Sequence, residues 1–155
     1  MPLPNAQTVI CLHDDGLAEP TGPVGEARPP YGGVWHWITV NHRHNRLLWA
    51  EENLARRTEV SDSDIAANKR HIDAYNQARN DAIERVDECL LTALGLVDEA
   101  SVSTDAPVSL APAGARLSSE TAGSMIDRMS ILALKIQAMR LWWRWVKSPN
   151  RLRSR

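Results

Sequence analysis

With 155 residues, 43% hydrophobic and 24% charged, the chain fits one soluble globular domain with its own core. It contains no uncharged apolar segment of about 18 residues, which excludes a membrane-spanning helix. Net charge is −1, but Arg128 to Arg155 holds eight Lys/Arg and no Asp/Glu, leaving ten basic against nineteen acidic residues elsewhere. An acidic body therefore carries a basic end.

There is no Phe and there are six Trp, so core volume comes from Leu, Ile, Met and Trp. Cys11 and Cys89 form neither a CxxC nor a disulfide-dense pattern and read as small buried hydrophobes in a reducing compartment. The N-terminus lacks a basic segment followed by a long apolar run, and the expected location is cytoplasmic.

Residues 1–32 hold six of the nine prolines and several glycine turns, which predicts an irregular arm. A first long helix is predicted over about 34–57. Its apolar arc is Val40, Leu47, Leu48, Leu54 and Ala55, and Asn41, Asn45, Glu52 and Arg56 form an adjoining polar row. A second helix, about 62–95, starts where Ser61 or Ser63 can cap free N–H groups and Asp62 and Asp64 suit the positive end of the helix dipole; Gly95 ends it. The stretch from about 98 to 118, rich in Ala, Pro, Ser and Val without period, reads as a loop. A third helix, about 120–147, precedes a basic tail over 148–155.

That third helix is apolar on two sides. Met125, Met129, Leu132, Ile136, Met139 and Trp143 lie on one, and Ile131, Leu134, Ala138, Leu141, Trp142 and Trp145 on the other. One layer cannot cover both, so a homodimer or higher oligomer is expected. With no alternating apolar and polar runs, the fold class is all-α: a bundle of three long helices with the arm laid on it.

In the second helix, Ile65, Ile72, Ile83, Leu90 and Leu94 share one arc at 100° per residue. Asn76 sits inside it, with Lys69, Arg79, Asn80 and Asp87 beside it. Burying such groups costs about 1–3 kcal/mol each unless they are hydrogen-bonded. With Asn45, Glu52 and Arg56 before them and Asp127, Arg128 and Lys135 after, they could form one polar cleft offering cations, amides and a carboxylate. The alternatives are an internal network that fixes helix register, and plain surface solvation.

His42 and His44 form an HxH motif near His36, but residues two apart point about 200° apart on a helix, and HExxH is absent; no metal is expected. Nucleotide-loop and nucleophile-elbow motifs are absent, and no cofactor is expected. The basic, Trp-rich end has the composition that binds anionic lipid or nucleic acid backbones. Because Trp142, Trp143 and Trp145 continue the apolar faces, they are assigned to the core or a subunit interface, with a membrane surface and nucleic acid as lesser expectations.

Three segments, NHRHNRLLWAEENLAR (41–56), KRHIDAYNQARNDAIE (69–84) and SETAGSMIDRMSILALKI (119–136), resemble the bacterial family called domain of unknown function 4254 over roughly residues 36–139. The resemblance implies an all-helical protein, encoded in some bacteria near sugar-transfer genes for surface polysaccharide, with no assigned activity. It places His42, Asn45, Trp49, Glu52, Arg56, Lys69, Asp73, Asn76, Arg79, Asn80, Glu84, Asp127 and Arg128 at family positions. Ala50 and Asn53 depart from the pattern, where a histidine and an acid are usual.

The leading expectation is a small helical enzyme acting on a polar anionic small molecule, a carboxylate or sugar derivative, by cofactor-free lyase, isomerase or transferase-like acid/base chemistry. Glu52, Glu84 and His42 are the catalytic candidates, and Asn45, Trp49, Arg56, Lys69, Asp73, Asn76, Arg79, Asn80, Asp127 and Arg128 bind substrate. The alternative is a non-catalytic helical oligomer or adaptor docking onto a biosynthetic partner.

Overall fold

The computed structural model describes residues 3–18, 33–116 and 118–148. It contains four helices, α1 (Ala6–Ala18), α2 (Val34–Leu54), α3 (Asp62–Ala93) and α4 (Ala122–Val146), and among the described residues no strands. The tail beyond Ser148 and residues 19–32 of the expected arm lie outside the described residues.

α1 corrects the reading of an irregular arm. Residues 6–18 contain no proline, so the prolines flank the helix instead of interrupting it. Asn5 starts it, its side chain accepting from the Thr8 N–H at 3.0 Å while the Asn5 N–H donates to Thr8 Oγ1 at 3.2 Å. Val9, Leu12, His13 and Gly16 then share one helical face, and Val9 and His13 are buried.

α2 and α3 form the principal pair, an antiparallel hairpin, against which α1 and α4 pack. Ser61 is the cap of α3, accepting from the Asp64 N–H at 3.2 Å. The other end closes with Gly95 at φ 65°, where the Leu96 N–H reaches the Leu91 carbonyl at 2.9 Å and the Gly95 N–H reaches Thr92 at 3.0 Å. Thr121 opens α4 through a reciprocal capping box with Ser124. Each helix gives one residue to the central cluster: Val9, Ile38, Val86 and Ile126. Leu12, Val34, Trp35, Trp37, Leu90 and Met129 pack around it.

The segment between α3 and α4 has more order than its composition suggests. Val97 and Ser109 pair in an isolated antiparallel bridge, fixed by the Asp98 N–H to Val108 and the Leu110 N–H to Leu96, each 2.9 Å.

α4 buries Ile126, Asp127, Ser130 and Leu134 and turns Met125, Leu132, Ile136, Met139 and Trp143 to solvent. From Met139 to Ser148 every residue is exposed, including Leu141 and Trp145 on the side that faces the bundle further up the helix. Trp142, Trp143 and Trp145 are thus not core residues of this chain. No helix among the described residues is long and apolar enough to cross a membrane.

Candidate functional site

A buried polar network joins three helices. α2 presents Asn41, His42 and Asn45 at i, i+1 and i+4, α4 presents Asp127 and Ser130 at i and i+3, and α3 contributes Arg79. Asp127, 3% exposed, is the hub. Its Oδ1 accepts from Asn41 Nδ2 at 2.9 Å, Asn45 Nδ2 at 2.8 Å and Arg79 Nε at 2.9 Å, and its Oδ2 from an Arg79 terminal nitrogen at 2.8 Å. Burial alone pushes the Asp127 carboxyl up. The bonds from Arg79, Asn41 and Asn45 outweigh it and hold the group below its ordinary value, so the acid is ionised and paired.

Ser130, fully buried, lies 2.8 Å from His42 Nδ1 and accepts from Asn45 Nδ2 at 3.0 Å. Ser130 has one hydroxyl hydrogen and two lone pairs, so it can accept from Asn45 and either donate to His42 Nδ1 or accept from it, according to the tautomer of the ring. Over that ring lies His13 of α1, centroids 4.6 Å apart and planes inclined at 22°. Neither His13 nitrogen has a hydrogen-bond partner, and neither does His42 Nε2. Gly16 permits this close approach: a Cβ there would sit 3.0 Å from His42 Cδ2.

Both rings are neutral. Burial lowers His13 to about 4, against the opposing pull of Asp14 and Asp127. Burial, then His13 and Arg46, lower His42 to about 3, with the His13 backbone acting the other way. His42 and Ser130 have the contact of a base and a nucleophile, but a ring so hard to protonate is a poor base at neutral pH, and Ser130 has no exposed surface for a substrate to reach.

Of the residues expected in a cleft, the structure brings together His42, Asn45, Arg79 and Asp127. Glu52 and Glu84, the expected acid/base pair, are exposed, as are Arg56, Lys69, Asp73, Asn80, Arg128 and Lys135; Trp49 and Asn76 are half-buried. Glu52 shares the phase of Asn41 but falls in the exposed last turn of α2. Its neighbour Glu51 turns inward, accepting from Asn68 Nδ2 at 2.6 Å and lying 3.3 Å from His71 Nδ1. Two of the expected anion-binding cations are already held by carboxylates: Arg79 holds Asp127, and Arg128 donates to Glu120 at 2.9 Å. Asp87 receives the Gly123 N–H at 2.7 Å, placing a carboxylate of α3 on the positive end of α4.

Sequence reasoning missed His13 and Ser130. A single serine carries no pattern, and His13 lay in the supposed arm; the spacing Asp127–Ser130 beside the Asn41–Asn45 pair was the available signal. Two hollows of about 380 and 390 Å³ open elsewhere, one beside Val34, Cys89 and Val102, the other beside Gln7, Cys11 and Trp35. No three His, Cys, Asp or Glu converge as a metal site among the described residues. His44 turns away from His42 to lie 2.9 Å from the Val40 carbonyl.

The sequence matches the model of a family described as protein of unknown function (DUF4254) over residues 35–144, the family that its three segments resemble. The match takes in all of α2 but Val34, all of α3, most of α4 and every residue of the network, while the stacked His13 lies outside it. No curated protein and no solved structure matches the chain.

Proposed function

The chain belongs to the DUF4254 family, and we propose that it works as a non-catalytic helical adaptor that docks through the outer face of α4, with the buried network as the fastener that sets α2, α3 and α4 in register. One observation carries this reading. Met125, Leu132, Ile136, Met139, Trp143 and Val146 recur at spacings of 7, 4, 3, 4 and 3, and all six are exposed, up to 70% at Met139. With half-buried Met129 they complete a heptad stripe along α4. A stripe of that length in water marks an interaction surface.

The enzyme reading draws less support, because Glu52 and Glu84 stand in water and two of the cations meant for substrate, Arg79 and Arg128, are held by Asp127 and Glu120. The test is rescue of the defect of a deletion strain. The variant Leu132→Gln/Ile136→Gln/Met139→Gln should fold with unchanged helix content and fail to rescue, whereas Glu52→Gln and Glu84→Gln should rescue fully. The opposite pattern returns the assignment to an acid/base enzyme.

A further inference from the structure

Resting on that docking reading, we infer that the surface α4 docks on is an anionic lipid bilayer, with the projecting end of the helix lying among the headgroups. Two independent features separate this occupant from a second copy of the chain and from a partner helix.

The first is the width of the apolar surface. Between Met139 and Val146, at 100° per residue, Leu141, Trp145, Trp142, Val146, Met139 and Trp143 cover an arc of about 200°, and Arg140, Arg144 and Lys147 cluster within about 60° of the remainder. All of these positions are exposed, with Leu141 at 58% and Trp142 at 61%. A helix partner covers a stripe of roughly 100°. A bilayer interface takes the wider arc, and tryptophan suits it because the ring is amphipathic. The second feature is charge. Arg128 and Lys135 run along one edge of the outer face and Arg140, Arg144 and Lys147 along the other, with no acidic residue after Asp127 in the sequence. Arg128 is shared with Glu120; Lys147 sits 4.5 Å from the centroid of the Trp143 ring. Pairing α4 with itself would set these cations against one another. Phosphate headgroups complement them, and the long basic side chains can reach the headgroups while their stems stay on apolar ground.

The experiment is co-sedimentation of the full chain with vesicles of phosphatidylcholine alone or containing 30% phosphatidylglycerol, with tryptophan emission read in parallel. The expected result is binding to the anionic vesicles with a blue shift, little binding to the neutral ones, and a loss of roughly tenfold or more in Arg140→Glu/Arg144→Glu. A Trp142→Gln/Trp143→Gln/Trp145→Gln variant, folded by circular dichroism, should lose binding as well. If the folded chain ignores both vesicle types yet forms a dimer that Leu132→Gln/Ile136→Gln/Met139→Gln dissolves, the lipid inference is overturned and the docking reading stands. If it binds neither lipid nor itself and that triple variant still rescues the deletion strain, both are overturned.

Discussion

Acid should loosen this fold at a pH well above the titration of its carboxylates, because of the stacked pair His13 and His42. Each ring is neutral in the folded chain, with pKa values of about 4 and about 3, against about 6.5 in the unfolded chain. A lowered histidine pKa means that the unfolded state binds more protons between those limits, so stability rises with pH across the window and falls as pH drops through it. Between pH 6.5 and 5 each ring costs between about 1 and 2 kcal/mol, and the pair about 3 kcal/mol, with the loss levelling off only near pH 3 to 4. For a domain held by roughly 5–15 kcal/mol, that is a large part of its stability. His44, whose pKa burial also lowers, adds in the same direction. The assay is urea unfolding followed by circular dichroism at half-unit steps from pH 7.5 to 4.5. His13→Phe keeps a ring against His42 and removes one titration, so its pH slope should be shallower by close to half the pair's contribution. A wild-type stability flat between pH 6.5 and 5, or a His13→Phe slope equal to that of the wild type, would refute the buried neutral pair.

Asp127→Ala strands Arg79, Asn41 and Asn45 and should cost about 3–5 kcal/mol, tempered by the partial exposure of Arg79, seen as a drop in Tm of roughly 10 °C by calorimetry. Gly123→Ala would set a methyl group 2.6 Å from the Ile83 carbonyl and crowd Asp87; a loss of about 1–3 kcal/mol is expected, where the same change at an ordinary helix position would be favourable. Glu52→Gln and Glu84→Gln should each leave chemical-denaturation midpoints unchanged to within about 0.5 kcal/mol, since both side chains are exposed. Ser130→Ala removes the partner of His42 Nδ1 in a site water does not reach, and about 1–3 kcal/mol should be lost from the unfolding free energy.

Much of the network was legible in the sequence as a conflict of pattern. Asn45 and Arg79 stood out because each is polar beside an apolar arc, Asp127 was grouped with them in the expected cleft, and the three meet at 2.8–2.9 Å. Single-helix geometry could not say which residues beside the arc turn inward. It assigned Glu52 to the cleft on phase alone, whereas the covered length of α2 ends before that residue and leaves Glu51 to meet Asn68. It likewise gave Lys69, Asp73 and Asn80 the same standing as Arg79, although only Arg79 faces a carboxylate on another helix.

Helix identity, caps and breaks are local properties: Ser61, Gly95 and the 3.6-residue periodicity act within a few residues of chain, so the all-α class could be read from the sequence alone, whereas the structure has four helices and not the expected three. α1 was equally local and was obscured only by the prolines around it. The orientation of α4 is another matter. Both of its sides are apolar, so periodicity leaves its inward side undetermined. The helix turns Asp127 and Ser130 inward and Met125, Leu132 and Ile136 outward because the acceptors and donors that satisfy those two polar residues, Asn41, Asn45, Arg79 and His42, lie on α2 and α3. Only the tertiary structure brings those partners within reach, and the apolar stripe left in water is its consequence.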